Sequence, residues 1–339
     1  MFIPKPKEHG GSPVGNNFLT LWTKCRRKWF YEHLWPHPGG AFGLAPITTA
    51  KPLLVGSLLH AGKENWYRAG VKDGEDTGAY SLDAAVGAVE ALAGSRSKEW
   101  ADASDREADV AGVKGLLEVW DRFYGPEGHT PLYPETKVLC LEDGTPAVEL
   151  EITVPLGIED YVYTCRADLV SLYQDRYLRV EEHKTSAPTF VDRLLNSLPK
   201  SSQFTGEFFA LSSEFSATHP LDCIRVHAHI KGWTPKSKFP APVKFGTTTR
   251  TPQQLERFRL RAVTILQEID LAVDSFNSAV AAGCDFTQAM DTLFPEIGEH
   301  TGACYDFNRT CDFEGPCRVG HNAGTLGAFR PARPASPTS

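Results

Sequence analysis

The spacing of apolar residues divides the chain into a helical first part, a strand-rich middle and a second helical part. Residues 17–35 are aromatic and basic and predict one helix, which ends at Pro36. A second helix is predicted from about Leu53 to Tyr67. Apolar residues then recur at helical spacing over residues 81–124, which predicts one or two helices.

The middle of the chain changes to the alternation that is typical of strands. Residues 137–155 and 161–180 are rich in Val, Leu, Ile, Tyr and Thr and predict antiparallel strands, with a hairpin turn at Gln174-Asp175-Arg176. The elements predicted after this hairpin are a helix at 199–213, a strand at 224–233 and a long amphipathic helix at 251–282. The pattern predicts an α/β fold with a mixed central sheet flanked by helices.

The two ends differ from the rest in composition. Residues 1–16 are polar with several Pro and Gly, and residues 321–339 are rich in Gly, Ala, Pro and Ser, so we expect a flexible start and a disordered tail. The domain expected between them covers 17–320, with a helical insertion at about 70–130; a length of 339 residues also allows two closely joined lobes.

Two absences bear on the compartment. The sequence contains no run of 18 apolar residues that could span a membrane, and its first residues lack the apolar core of a signal peptide. We therefore expect a cytoplasmic protein, in which clustered cysteines are more often metal ligands than disulfides.

The charge balance limits the possible partners. A net charge of −7 and a pI of about 5.9 argue against non-specific coating of nucleic acid, but they allow a local basic groove. No acidic residue occurs between Asp222 and Glu256, whereas this segment carries Arg225, Lys231, Lys236, Lys238, Lys244 and Arg250. With Trp233, it is either a solvated loop or a surface that follows phosphates and stacks a base.

The hairpin brings acidic residues together. A turn at 174–176 places Asp168 opposite residues 181–183. Alternation along the strands puts Glu182 and Lys184 on the same side as Asp168, with Glu181 on the other side. Carboxylates on cross-strand neighbours, whose Cβ atoms are about 5 Å apart, repel each other unless a cation lies between them.

This combination suits phosphodiester hydrolysis. Two carboxylates can hold a hard divalent cation, which polarises a phosphate and acidifies a bound water. Lys184, two residues after Glu182, can orient that water or neutralise charge in the transition state. The alternative is a charge pair on a strand surface.

Three ordered motifs resemble the PD-(D/E)XK nuclease superfamily, in its RecB-like branch. Residues 180–186 (VEEHKTS) are similar to the Glu-x-Lys-Thr/Ser strand, and residues 165–170 (CRADLV) to the preceding Gly-x-x-Asp motif, with Cys165 in place of Gly. Residues 55–60 (VGSLLH) resemble the upstream helix that ends in a histidine ligand. The resemblance implies a restriction-endonuclease-like core. It also implies a Mg²⁺ or Mn²⁺ site formed by His60, Asp168, Glu182 and the carbonyl of His183, with Lys184 as a catalytic residue.

A fourth motif is only partly matched. RecB-like nucleases carry Gln-x-x-x-Tyr on the helix after the lysine strand, and this chain has Gln203 followed by Glu207 at the tyrosine position. The resemblance implies that Gln203 contacts Lys184 or the scissile phosphate as part of the catalytic set. The alternative is a surface glutamine on an amphipathic helix.

The cysteines suggest a second centre. Cys304, Cys311 and Cys317 are closely spaced and need a fourth ligand, for which His300, His321 and the distant Cys25 are candidates. The arrangement resembles that of iron–sulfur members of the superfamily, which pair one cysteine upstream of the histidine motif with three near the C-terminus. These members include CRISPR-associated RecB-like exonucleases, AddB-type nucleases and phage-encoded proteins. That resemblance implies Cys25 as the fourth ligand of a 4Fe–4S cluster, with Zn²⁺ in the same four cysteines as the alternative.

The implied activity is that of a metal-dependent DNA exonuclease acting on single strands or ends in replication, recombination or repair. The alternative is a non-catalytic module of the same fold that binds DNA ends or a recombination partner. The residues expected to contact nucleic acid are Arg26, Lys28, Lys231, Trp233 and Lys236.

Overall fold

The computed structural model describes residues 3, 5, 14–37, 41–47, 50–158, 160–215, 218–233, 242–297, 301–302, 304 and 310–333. Its α-helices are α1 (Asn16–Lys24), α2 (Arg26–His33), α3 (Lys51–Ala69), α4 (Leu82–Ser95), α5 (Ala103–Tyr124), α6 (Val191–Ser197), α7 (Ser202–Phe215), α8 (Pro252–Ala281), α9 (Phe286–Leu293), α10 (Glu314–Arg318) and α11 (Ala323–Leu326). Its strands are β1 (Phe42–Pro46), β2 (Val71–Lys72), β3 (Glu75–Asp76), β4 (Thr136–Val138), β5 (Val148–Pro155), β6 (Val162–Tyr173), β7 (Tyr177–Ser186), β8 (Leu221–Ile230), β9 (Val243–Thr248) and β10 (Phe329–Arg333).

The central sheet is mixed, as the sequence predicted. Among the described residues its strands follow the order β4-β6-β7-β8-β9, and β5 also pairs with β6. β7 and β8 run parallel, whereas the β4–β6, β6–β7 and β8–β9 pairs are antiparallel. The α/β fold with helices flanking a mixed sheet is therefore confirmed. The segment from 70 to 130 holds the β2–β3 hairpin and helices α4 and α5.

The predicted helix over residues 17–35 is wrong in one respect: it is broken at Cys25. This residue has an extended backbone (φ −161°, ψ 104°) and both ends α1 and begins α2. Its Sγ accepts a hydrogen bond from the N–H of Lys28 at 3.4 Å, which caps the second helix with a thiol. The break turns the cysteine away from a regular helix surface.

Both ends of the chain are more structured than their composition suggested. Ile3 is fully buried, and its backbone exchanges two hydrogen bonds with the side chain of Asn277. Near the other end, β10 pairs with β1 in an antiparallel ladder. The expectation of a disordered tail is thus wrong at least for residues 329–333, because β1 offers a strand edge that local composition does not reveal.

The chain divides into two compact units, where the sequence predicted one domain over 17–320. The first comprises residues 1–48, 155–164 and 256–339, and the second comprises residues 49–154 and 165–255. The first unit packs aromatic side chains from α1, α2, α8 and α9, with Phe30 within 4.6 Å of Phe294 and 5.6 Å of Phe276 between ring centroids. No described helix combines the length and apolar character needed to cross a bilayer.

In the second unit the two faces of the sheet are covered by different helices. On one face, Tyr67 of α3 and Trp120 of α5 pack against His183 of β7. On the other face, Ala228 of β8 packs against Val191 of α6. Because Ala228 is the neighbour of Lys184 in the parallel β7–β8 ladder, Lys184 and Glu182 belong to this second face.

Candidate metal centres

The regular β6–β7 ladder ends where the acidic residues begin. The register pairs Leu172 with Leu178 and continues to Leu169 opposite Glu181. Beyond that point, the two strands are joined by hydrogen bonds from backbone N–H groups to carboxylates. The N–H of Asp168 donates to Glu182 Oε1 at 3.3 Å, and the N–H of His183 donates to Asp168 Oδ2 at 2.7 Å. The two carboxylates therefore cross-link the strands at the same level.

The structure brings the predicted hairpin residues together. Lys184 Nζ donates to Glu182 Oε2 at 2.7 Å, and both carboxylates are at least nine-tenths buried. Burial opposes a charged ammonium, but Glu182 and Asp168 outweigh that effect and raise the pKa of Lys184. For Glu182 the pKa is raised, first by burial and then by the neighbouring Asp168.

His60 reaches this group from α3. Its Nδ1 lies 3.2 Å from Asp168 Oδ1 and 3.1 Å from Glu149 Oε1. Burial lowers the pKa of this imidazole, but hydrogen bonds to Asp168 and Glu149 outweigh burial and raise the pKa to about 10. A positive charge is thus favoured at the point where the three side chains meet.

The tightest set of potential ligands differs from the predicted set. Among the described residues, one group of at least three potential ligands has all its ligand atoms within 4.8 Å of one another, and it consists of His60, Glu149 and Asp168. Glu182 lies outside this group because its carboxylate bonds to Lys184 and to the N–H of Asp168. An imidazole and carboxylates this close suit a small divalent cation.

Glu149 was missed by the sequence reasoning. It lies on β5 with a positive φ of 51°, an unusual conformation for a residue other than glycine. Its second carboxylate oxygen bonds to Arg166, whose side chain is two-thirds exposed. The alternation of β5 gave no sign of this contact, since the unusual backbone angle re-aims the side chain.

Helix α7 adds the partly matched motif. Gln203 Nε2 donates to Glu207 Oε1 at 2.8 Å, a contact within the helix; the predicted contact with Lys184 or the scissile phosphate stays a prediction. Glu207 is buried on the sheet face of Lys184, and its Oε2 has no hydrogen-bond partner in the described structure. Burial raises the pKa of Glu207 well above its usual range, and the nearby Glu182 adds to the effect.

The opposite face of β7 carries a buried polar network instead of a catalytic group. Glu181 accepts two hydrogen bonds from Arg225 and one from His227 at 2.6–2.7 Å. His183 bonds to Tyr67 and to His229, both at 3.1 Å. Glu181 therefore points away from Glu182, as the alternation of the strand predicted.

Four cysteines line a single cavity in the first unit. Cys25, Cys304, Cys311 and Cys317 contribute to its wall together with Lys28 and Arg27. Burial raises the pKa of Cys317 to about 11 and of Cys304 to about 12, while Arg27 and Lys28 act in the opposite direction on Cys317 and Cys311. Nearby cations of this kind favour thiolates, the form in which cysteine binds a metal.

The spacing of these sulfurs bears on the choice of cofactor. Four thiolates around one Zn²⁺, each about 2.3 Å away, lie about 3.8 Å from one another. Within the described part of the chain, no three cysteine sulfurs lie within 4.8 Å of one another.

The residues expected to contact nucleic acid differ in their partners and in their exposure. Arg26 bonds to Glu268 and covers Trp22, and Lys28 pairs with Glu32. Trp233 packs beside the small cluster around Val191. Lys231 is half-buried after β8, and Lys236 lies outside the described residues.

The wider basic segment is largely committed to internal contacts. Arg225 is held by Glu181, and Lys244 pairs with Asp192. Arg250 is buried and donates to the carbonyls of Leu198 and Ser201. Arg225 and Arg250 are therefore engaged within the fold, whereas Lys244 stays exposed in its surface pair with Asp192.

Comparison with known proteins adds no further identification. No protein-family model matches the chain, and no curated protein matches it either. The family resemblance is carried by the motif residues alone.

Proposed function

We propose that the protein is a metal-dependent DNA nuclease of the PD-(D/E)XK type, with exonuclease-like action on single strands or ends. The observation that carries the proposal is the convergence of Asp168, Glu182 and Lys184 beside His60. Two carboxylates, an imidazole and a lysine at this spacing match the needs of phosphodiester hydrolysis better than those of a surface charge pair, because the carboxylates and most of the lysine are removed from water.

The cation site is formed by side chains from α3, β5 and β6. His60, Glu149 and Asp168 offer three ligand atoms within 4.8 Å, and Glu182 and the carbonyl of His183 complete the set that the family resemblance implies. A Mg²⁺ or Mn²⁺ ion held by these residues would polarise the phosphate and lower the pKa of a bound water. The proton on His60 must leave when the cation binds, since the ligating nitrogen needs its lone pair.

Lys184 is the side chain that acts on the phosphate and on the attacking water. Its ammonium is held by Glu182, and its side chain is 28% exposed, so its tip can reach a phosphate that enters from solvent. The raised pKa keeps this ammonium charged at neutral pH. Lys184 thus stabilises negative charge as it develops on the phosphate and orients the attacking water.

The cysteine cavity is proposed to hold a 4Fe–4S cluster with a structural role. Cys25 caps α2, whereas Cys304, Cys311 and Cys317 come from the C-terminal segment, so one group would bind distant parts of the first unit together. Hydrolysis demands no electron transfer. The four cysteines of the cavity would therefore stabilise the fold, and the reaction would take place at the carboxylate site.

The test is digestion of labelled single-stranded DNA in the presence of Mn²⁺ by matched variants. Glu182→Ala and Lys184→Ala should each reduce cleavage at least about 100-fold. Lys72→Ala, an exposed lysine of β2, is the matched control and should leave cleavage unchanged. Cleavage at the wild-type rate by either site variant contradicts the assignment; tight DNA binding without any cleavage by the wild type favours the non-catalytic alternative.

A further inference from the structure

Glu207 is a buried carboxylate for which the proposed chemistry has no role. Gln203, one turn earlier on α7, occupies its Oε1. Its Oε2 is shielded from solvent and has no hydrogen-bond partner within the described structure, although the residue is only 2% exposed. A buried carboxylate oxygen without a partner destabilises the folded chain, so a ligand that satisfies it is expected.

The unsatisfied oxygen lies on the side of the sheet that carries the catalytic residues. The parallel ladder places Lys184 beside Ala228 and Glu182 beside Val226. Ala228 packs on α6, and Gly246, the partner of Val226 on β9, lies against Leu195 and Leu198. Helix α6 therefore packs on the face of Glu182 and Lys184. Helix α7 contacts β8, and its buried Glu207 lies close enough to Glu182 and Lys184 to interact with both charges.

The charges around Glu207 leave it undercompensated. Apart from burial, the groups that act most strongly on it are Glu182, Lys184 and Asp168. The ammonium of Lys184 is engaged with Glu182. Arg250 also faces Glu207, but its guanidinium donates to Thr205, Thr248 and backbone carbonyls. The nearby cations are thus committed elsewhere, and burial beside Glu182 raises the pKa of Glu207 and disfavours its charged form in the absence of a bound cation.

We propose that Glu207 and Glu182 bind a second divalent cation, next to the one at His60, Glu149 and Asp168. The inference rests on the proposed function and extends it to a two-cation site for phosphodiester substrates. A cation between Glu207 and Glu182 satisfies the free oxygen and removes the repulsion between two buried carboxylates.

Two cations divide the reaction between them. In two-metal sites the ions lie about 3.5–4 Å apart and stabilise the attacking and the leaving oxygen of the same displacement. Glu182 accepts from the N–H of Asp168, so it lies next to a residue of the first cation group. Glu207 takes the place where related nucleases carry tyrosine, a side chain that is neutral at ordinary pH and a poor ligand for these cations.

The stoichiometry of Mn²⁺ binding tests the inference on the complete chain. Calorimetric titration of metal-free protein should give two Mn²⁺ per wild-type chain and one per Glu207→Gln chain. Glu214→Gln, an exposed glutamate on the same helix, is the matched control and should bind two. Cleavage by Glu207→Gln should fall at least tenfold at saturating Mn²⁺.

A spectroscopic readout shows on the wild type itself whether two Mn²⁺ ions lie close together. Two Mn²⁺ ions in one site give an exchange-coupled EPR spectrum, and Glu207→Gln should restore the six-line spectrum of an isolated ion. One Mn²⁺ per wild-type chain, or two in Glu207→Gln, would overturn the second site and leave the proposed nuclease intact. No Mn²⁺ bound to the wild type would instead contradict the proposed function itself.

Discussion

The backbone N–H of His183 donates a 2.7 Å hydrogen bond to the carboxylate of Asp168. The same residue extends its imidazole to the opposite face of the sheet, where it bonds to Tyr67 and His229. One residue of β7 thus connects a buried polar network on one face to the acidic site on the other. The position of Asp168 depends on this strand being held firmly.

Replacing Asp168 by asparagine tests the charge of the site separately from its hydrogen bonds. The amide side chain keeps an oxygen that can accept from His183 but loses the negative charge that a cation requires. We expect Asp168→Asn to reduce Mn²⁺-dependent cleavage at least about 100-fold, with little change in the unfolding midpoint. Asp175→Asn, in the exposed hairpin turn, is the control and should retain full activity. Loss of folding in Asp168→Asn, measured by circular dichroism, would assign the residue a structural role instead.

The binding of Mn²⁺ should depend strongly on pH through His60. The pKa of His60 is raised to about 10, so the imidazole is protonated at neutral pH and must lose its proton to ligate a cation. Between pH 7 and pH 9 the affinity should therefore rise about tenfold per pH unit. In His60→Gln the titration should lose this slope. A pH-independent affinity in the wild type would show that His60 is not a ligand.

Glu181 should matter for stability rather than for catalysis. Its buried carboxylate holds Arg225 through two bonds and His227 through one. Glu181→Gln leaves the Arg225 charge without its partner, which costs about 3–5 kcal/mol in buried pairs. Asp222→Asn, which breaks the more exposed pair with Arg179, should cost no more than about 1 kcal/mol. Chemical denaturation measures both, and equal effects would contradict the burial argument.

The protein should lose stability below pH 6.5. Burial lowers the pKa values of His183, His227 and His229 below the usual 6.5, so the unfolded chain binds more protons than the folded chain as the pH falls under that value. Glu181, with its pKa lowered to about 2, adds a further loss from pH 4.5 downward. Denaturation midpoints at pH 7.5, 6.5 and 5.5 measure the effect, and His229→Gln should reduce the drop between the last two.

In metal-free protein, His60 changes the stability with pH in the opposite direction from the three buried histidines. Because its folded pKa is above the unfolded one, its contribution to stability is complete below pH 6.5 and is lost as the pH rises towards 10. A constant denaturation midpoint from pH 5.5 to pH 9 would contradict both titrations.

The cysteine cavity makes a prediction that is independent of the nuclease site. Cys311→Ser should remove bound iron and the visible absorption near 400 nm from anaerobically purified protein, because a cluster needs all the thiolates around the cavity. Cys284→Ser, a half-buried cysteine outside the cavity, should keep both. Zinc in the wild type, found by metal analysis, would favour the single-ion alternative.

The hairpin was predictable because its information is local. The turn at 174–176 sets the register, and two-residue alternation then decides that Asp168, Glu182 and Lys184 share a side while Glu181 does not. The long helix at 252–281 was likewise visible as a period of apolar residues. The motif order indicated which of these residues to examine for chemistry.

What the sequence by itself determined was therefore which face each side chain takes along its own strand or helix. Only the tertiary structure decided which side chains from distant segments meet. Glu149 of β5, which has an unusual backbone angle, meets His60 of α3, and Arg225 of β8 forms an ion pair with Glu181 of β7. Glu207 of α7 is buried, and its Oε2 has no hydrogen-bond partner in the described structure. Contacts of this kind depend on the packing of elements many residues apart, which periodicity within one element does not encode.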